Sequence, residues 1–203
     1  MTDRLPTHSR DDAQVAAATP ADLAYVVDLA KRHAHALGFV ARAALARKIE
    51  LARVDLAREN GQPCGFLHHG SFANKRTPGE ARIFQACVQY DAQRRHHGLN
   101  LVERFLAKAE AAGTRRVSLR CLSDLDANQF WPLAGFERLG TEPGRKGELI
   151  VWGKQLADDA GNFLTRWHPC PRCGIRTVDT WTAGPRRWTT CPACTRHHLE
   201  DGR

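Results

Sequence analysis

No stretch of this 203-residue chain approaches the roughly 18 consecutive apolar residues that a membrane-spanning helix needs, so no membrane partner is expected. Its opening residues, MTDRLPTHSRDDAQ, are charged and lack the apolar run of a secretory signal, from which a cytoplasmic location is expected. Tyrosine is scarce: only Tyr25 and Tyr90 are able to bring a phenol to any chemistry. At this length the chain holds one full hydrophobic core and a small appendage.

Cysteine is present in two patterns. Cys64, Cys87 and Cys121 stand alone within strand-like runs, where a free cysteine behaves as a small apolar core residue. Cys170-Pro-Arg-Cys173 and Cys191-Pro-Ala-Cys194 are instead two Cys-x-x-Cys knuckles with seventeen residues between them, a spacing read as a zinc ribbon. Four thiolates suit the tetrahedral, soft-ligand preference of Zn2+, and a tail of about 40 residues cannot bury enough apolar surface to fold alone. Metal binding would supply that folding free energy, and four protein ligands leave no open position, so the zinc is expected to be structural. Iron fits the same four sulfurs, and a disulfide pair or a redox Cys-x-x-Cys are the competing readings. Between the knuckles, residues 176–188 read as a hairpin carrying Trp181, Trp188, Arg186 and Arg187. Arginine beside tryptophan suits stacking on bases and pairing with phosphates, and the alternative is that the two tryptophans pack the small ribbon core.

Residues 1–18 are polar without periodicity and are expected to be a flexible N-terminus. A helix starts at Thr19-Pro20-Ala21-Asp22, with Thr19 as N-cap and Leu23, Val26, Val27 and Ala30 as its apolar face. His33 and His35 fall near its end, where a charged imidazole suits the helix dipole. Gly38 closes this helix, and helical composition resumes from Ala41 to Leu51. Val54–Arg58 and Cys64–Leu67 flank Asn60-Gly61, a strong hairpin signal. His68 and His69, being adjacent in a strand, point to opposite faces, so at most one can face a site. Phe136–Leu139 and Leu149–Trp152 form a last hairpin about Pro143-Gly144. The first domain is expected over 19–156, a small, acidic, turn-prone linker over 157–166, and the ribbon over 167–199.

The densest signal is Val88 to Gly98, VQYDAQRRHHG. A strand rich in β-branched and aromatic residues runs into a basic, glycine-bearing turn and then into an amphipathic helix with Leu99, Val102 and Leu106 on one face. A helix N-terminus offers unpartnered N–H groups and about half a positive charge, and Arg94 and Arg95 add full charges, so this arrangement suits a pyrophosphate.

The segment resembles motif A of the GCN5-related N-acetyltransferases (GNAT), whose Gln/Arg-x-x-Gly-x-Gly/Ala turn binds the pyrophosphate of acetyl-CoA. Without gaps the pattern falls on Gln93, His96 and Gly98, with His96 where the family usually has glycine. A register two residues later, on Arg95, Gly98 and Asn100, spoils the match of Leu101-Val102-Glu103 to the family's helix. Asp124 to Phe136 is similar to the family's Asn-x-x-Ala-x-x-Phe-Tyr-x-x-x-Gly-Phe segment, with Asp124 for Asn and Trp131 for Tyr. The resemblance covers residues 19–156. It implies an α/β (α+β) fold, with a mixed, mainly antiparallel sheet flanked by helices. It also implies acetyl-CoA held by Val88, Gln89, Tyr90, Gln93, Arg94, Arg95, His96, His97, Gly98, Asn128 and Trp131, with the pantetheine along the Val88–Tyr90 edge.

The implied reaction is direct attack of an acceptor amine on the thioester, which needs a base for the ammonium proton and often an acid for the departing thiolate. The family commonly takes the acid from the tyrosine that Trp131 replaces. Glu80 and Asp91, at the two ends of the central strand, are the carboxylates nearest the implied cleft, and proton transfer through water is the alternative. Three readings stand: an acetyltransferase with an unknown amine acceptor; a nucleic-acid-binding ribbon on a CoA-binding or inactive domain; and an acyltransferase whose ribbon selects a nucleic acid or its bound protein. The net charge of +8 suits coenzyme A as well as nucleic acid, so it does not decide between them.

Overall fold

The computed structural model describes residues 13–72 and 79–156 and, beyond them, the strand backbones of 167–169, 176–183, 186–190 and 197–201. The chain divides into two compact units, Met1–His68 with Gln85–Arg104 and His69–Phe84 with Phe105–Arg203.

In the first unit, β1 (Ala13–Ala17) pairs antiparallel with β2 (Val54–Glu59), from Ala13 opposite Glu59 to Ala17 opposite Asp55. This corrects the expectation that all of 1–18 is flexible. Four of the five β1 residues are apolar and three of those are alanines, so no period-2 pattern marks the strand. Its order comes from backbone bonds to β2 rather than from a buried stripe. A single 3-10 turn, Pro20–Asp22, then leads into α1 (Leu23–Arg32). Asp22 acts as the return arm of the cap: its carboxylate accepts from the Thr19 N–H at 2.8 Å and from the Thr19 hydroxyl at 2.9 Å. Val26, Val27, Leu29 and Ala30 of α1 are buried, close to the face expected. They pack with Leu45 and Ile49 of α3 (Arg42–Glu50), Val54 and Leu56 of β2, and Phe66 of β3 (Gln62–His69). Between the helices lies α2 (Ala34–Leu37), closed by Gly38 at φ +73°. Asn60 and Gly61 join β2 to β3 with φ of +51° and +76°, the twisted two-residue hairpin turn that the sequence signals.

β4 (Glu80–Val88) and α4 (His97–Ala111) are each shared by the two units. The second unit adds β5 (Arg116–Leu122), α5 (Phe130–Leu133), β6 (Glu137–Pro143) and β7 (Glu148–Gln155). β4 and β5 run parallel, whereas β5 with β7 and β6 with β7 are antiparallel. The strand order of the sheet is β1-β2-β3-β4-β5-β7-β6, a mixed and mainly antiparallel arrangement as expected. Cys64, Cys87 and Cys121 are free and buried. Among the described residues no helix is long and apolar enough to cross a membrane.

The C-terminal strands β8 (Trp167–Pro169), β9 (Arg176–Ala183), β10 (Arg186–Thr190) and β11 (His197–Asp201) form an antiparallel sheet in the order β11-β10-β9-β8. β9 and β10 are the hairpin expected between the knuckles. The register sets Trp188 opposite both Trp181 and Leu199, Arg186 opposite Asp201, and Arg187 opposite Glu200. Cys170, Cys173, Cys191 and Cys194, and the linker 157–166, lie outside the described residues.

Candidate functional site

The turn that follows β4 belongs to the first unit. Gln89 is tied at both ends: its N–H donates to the Cys64 carbonyl at 2.9 Å, and its side-chain Oε1 accepts from the Tyr25 hydroxyl at 3.2 Å. Burial pushes the Tyr25 phenol well above its ordinary pKa, so it stays a protonated donor. One 3-10 turn, Tyr90–Ala92, buries Ala92 and leaves the Tyr90 ring largely exposed. Gln93 reaches back to donate its Nε2 to the Val88 carbonyl at 3.0 Å, which closes the end of the strand. Both glutamine side chains are therefore engaged by the protein, and Gln93 shapes the turn.

The backbone then adopts positive φ twice, at Arg94 (+62°) and at His96 (+65°), with Arg95 between them on the ordinary side. Alternation of this kind turns successive N–H groups toward one concavity, the geometry that binds anions. A side chain in the left-handed region costs roughly 1–2 kcal/mol, which is why glycine is usual at such a position. His96 bears that cost here, and its imidazole is exposed, turned away from the interior. α4 follows at once. Its first backbone bond from outside the helix is from Asn100 N–H to the His96 carbonyl at 2.9 Å, so the N–H groups of His97, Gly98 and Leu99 precede the helix's own acceptors.

The two arginines are not equivalent. Arg94 is exposed and makes no ion pair among the described residues. Arg95 Nη1 donates to Glu59 Oε2 at 2.6 Å, and its Nη2 donates to the Asp91 carbonyl. Glu59 also lies 3.3 Å, through Oε1, from His97 Nε2. Partial burial would raise the Glu59 carboxyl, but His97 and Arg95 outweigh it and hold it below the ordinary carboxylate value. His97 is 2% exposed, so its side chain is closed to a ligand. Glu59 was not foreseen as part of the turn. It ends the hairpin strand β2, thirty-six residues before Arg95, and no local pattern joins the two.

Beside this turn the His33 ring packs on Tyr90 with centroids 4.7 Å apart. His33 is buried, and that burial, with His35 and Arg32 nearby, pushes its pKa below the ordinary value. This corrects the expectation of a charged imidazole at the helix end: desolvation outweighs the dipole.

In the second unit three of the expected site residues are used by the fold itself. Glu80 is 5% exposed, with Oε1 accepting from the Ser118 hydroxyl at 3.0 Å and Oε2 from Arg116 Nη2 at 3.4 Å. Both carboxylate oxygens thus hold β4 to β5, which corrects its candidacy as a free base. Asn128 donates to the carbonyls of Leu122 (2.7 Å), Leu125 (3.0 Å) and Ser123 (3.4 Å) and accepts from the Trp152 indole at 3.0 Å. Trp131 is buried, edge-on to Phe130 and Phe136. The polar atoms of Asn128 are thus engaged within the fold, and Trp131 is packed in the core. Asp91 remains exposed, at the 3-10 turn.

No protein-family model and no curated protein sequence matches this chain. Solved structures do. Ard1 from Thermoplasma volcanium superimposes with a TM-score of 0.63 at 19% identity, over 72% of this chain and 99% of its own. yncA from Salmonella typhimurium, a structure with its cofactor acetyl-CoA, gives 0.63 at 19% identity, over 75% of this chain and 98% of its own. The ribosomal-protein-S18-alanine N-acetyltransferase from Escherichia coli gives 0.60 at 19% identity, over 74% of this chain and 98% of its own. About three-quarters of the chain therefore has the fold of the GNAT acetyltransferases, as the two sequence segments led us to expect.

Proposed function

We propose that this chain is an acetyltransferase that moves the acetyl group of acetyl-CoA to an acceptor amine. The observation that carries the reading is the turn from Gln93 to Gly98: alternating backbone, helix N-terminus and an exposed Arg94 in a domain of acetyltransferase fold. The pyrophosphate sits against the N–H groups of the turn with Arg94 as its charged contact, and the pantetheine follows the Val88–Tyr90 edge. The amine nitrogen attacks the thioester carbonyl, a C–N bond forms and the C–S bond breaks. The ammonium proton leaves through water, with Asp91 the carboxylate that stays exposed, and solvent protonates the thiolate.

The C-terminal sheet is a zinc ribbon in this reading. Two observations support it. The connections β8–β9 and β10–β11, to which the four cysteines belong, leave and rejoin the sheet at the same end, because Pro169 pairs with Arg176 and Thr190 with His197. The spacing of the knuckles is that of a four-cysteine zinc site. Trp181, Trp188 and Leu199 stand opposite one another across three strands. Arg186 and Arg187 each have an acidic register partner, which offsets the charge that nucleic-acid binding would use.

Calorimetry with coenzyme A, followed by release of free CoA from acetyl-CoA across a panel of amines and proteins, tests the proposal. Arg94→Ala should weaken CoA binding about ten-fold, the value of one charge-assisted contact, without lowering the melting temperature. Absence of binding heat at millimolar CoA overturns the reading.

A further inference from the structure

We infer that Glu59 is a positioning residue of the CoA turn, a clamp that holds the left-handed backbone which glycine would otherwise supply. The inference rests on the acetyl-CoA reading for its ligand, but its geometry stands in the free protein.

The turn carries two residues of positive φ with side chains, Arg94 and His96. Such a conformation persists where the surroundings over-determine it. One carboxylate reaches the residues on both sides of His96, bonding to Arg95 and lying beside the buried His97 ring. Glu59 Oε2 accepts from Arg95 at 2.6 Å, and Glu59 Oε1 lies 3.3 Å from Nε2 of the buried His97. Arg95 is fixed at a second point by the Asp91 carbonyl. His96 itself has an exposed ring, so its own side chain does not hold the conformation. Glu59 in turn is fixed, because it closes β2 beside the tight Asn60-Gly61 turn and pairs with both Ala13 and Gln62. A rigid hairpin thereby sets the angle of a turn thirty-six residues away. The clamp also divides the work of the arginines: Arg95 is committed to the protein, and Arg94 to the ligand.

The experiment compares the full-length protein with Glu59→Ala, Glu59→Gln, and Glu59→Ala combined with His96→Gly. Coenzyme A affinity is read by calorimetry, and amide hydrogen exchange over residues 92–98 is read without ligand. Glu59→Ala should weaken CoA about ten-fold and speed exchange in the turn, as expected when the support of a strained residue is removed. Glu59→Gln, which keeps one acceptor for Arg95, should fall between. Adding His96→Gly to Glu59→Ala should restore most of the affinity, because glycine adopts the required φ without support. His96→Gly alone is the control for the gain that glycine brings by itself, and the rescue counts only where it exceeds that gain. Unchanged exchange and affinity in Glu59→Ala, tighter CoA binding in it, or failure of the glycine rescue each overturns the clamp. If the unaltered protein binds no CoA, the acetyltransferase reading fails, and the exchange measurements alone decide the clamp.

Discussion

Replacing Asn128 separates a role in the cofactor site from a role in the fold. The side chain donates at 2.7 and 3.0 Å to the Leu122 and Leu125 carbonyls and accepts from the Trp152 indole at 3.0 Å; the third donor contact, at 3.4 Å to Ser123, is too long to weigh. In Asn128→Ala the two good donor bonds are lost, at roughly 0.5–1.5 kcal/mol each. The Trp152 N–H, on a side chain buried in β7, also loses its acceptor, which costs roughly 1–3 kcal/mol. The total is about 2–6 kcal/mol, and for a chain of this size that lowers the melting temperature by roughly 4–24 °C. Asn128→Asp is the sharper variant. It keeps an acceptor for Trp152 but sets a carboxylate against the Leu122 and Leu125 carbonyls, so it should destabilise at least as much as alanine. Thermal denaturation followed by circular dichroism reads the stability, and calorimetry at 25 °C reads CoA affinity, which should stay within about two-fold in Asn128→Ala, because no contact of Asn128 falls on the turn. An alanine variant that melts at the unaltered temperature while losing CoA affinity would refute this reasoning and return Asn128 to the ligand.

The cysteines should react in two groups. Burial lifts the thiols of Cys64 to about 11 and Cys87 to about 12 and also raises Cys121, so a disulfide reagent at neutral pH should find none of the three until the protein is unfolded. On the zinc reading, chelator should expose four thiols with release of one metal ion, and all seven should appear in denaturant; four reactive thiols before chelator would sink it. Acid should remove a definable part of the stability. Partial burial raises the Asp22 carboxyl, but Thr19 and Arg58, the latter donating at 2.6 Å, outweigh it and hold the group below its ordinary value. A carboxyl depressed in the folded state binds fewer protons there than in the unfolded chain, so its contribution is full above the ordinary carboxylate value and is lost as pH falls through the folded one. Glu59 acts in the same sense. The urea midpoint should therefore drop between neutral pH and pH values in the lower carboxylate range, and Asp22→Asn should flatten that slope.

Elements that announce themselves locally were legible in the sequence. Asn60-Gly61 specified a hairpin, Thr19-Pro20-Ala21-Asp22 a capped helix start, and Val88–Gly98 a strand, turn and helix, and each is where those residues put it. β1 was not legible, since alanines at an edge carry no alternation and the strand exists because β2 offers it a ladder. The use of the polar residues was not legible either. Glu80 stood in the sequence as a candidate base, yet Arg116 and Ser118, which engage it, lie thirty-six and thirty-eight residues away. Glu59 is alike, with Arg95 thirty-six residues away, whereas Asn128 is tied mostly to carbonyls three to six residues back and to Trp152 twenty-four residues on.

The departures at Trp131 and Glu80 bear on which amine the proposed chemistry would serve. With Trp131 in the core and Glu80 spent on Arg116 and Ser118, neither a phenol at that position nor a buried carboxylate is free to move protons. The loss of an acid matters little, because a thiol of pKa about 8.5 leaves readily as its thiolate, which then takes a proton from water. The loss of a strong base matters more. A lysine ammonium, with a pKa of about 10.4, is about one part in a thousand free amine at pH 7.4, equivalent to about 4 kcal/mol that a base would have to recover. An α-amino group, with a pKa of about 7.7–8.0, is already about one-fifth to one-third free amine at the same pH and needs no such help. With protons passing through water alone, the proposed reaction favours acceptors of low pKa. Its rate should then rise with pH to a plateau set by the acceptor's own titration, whereas an enzyme base would place that plateau at one pH for every amine.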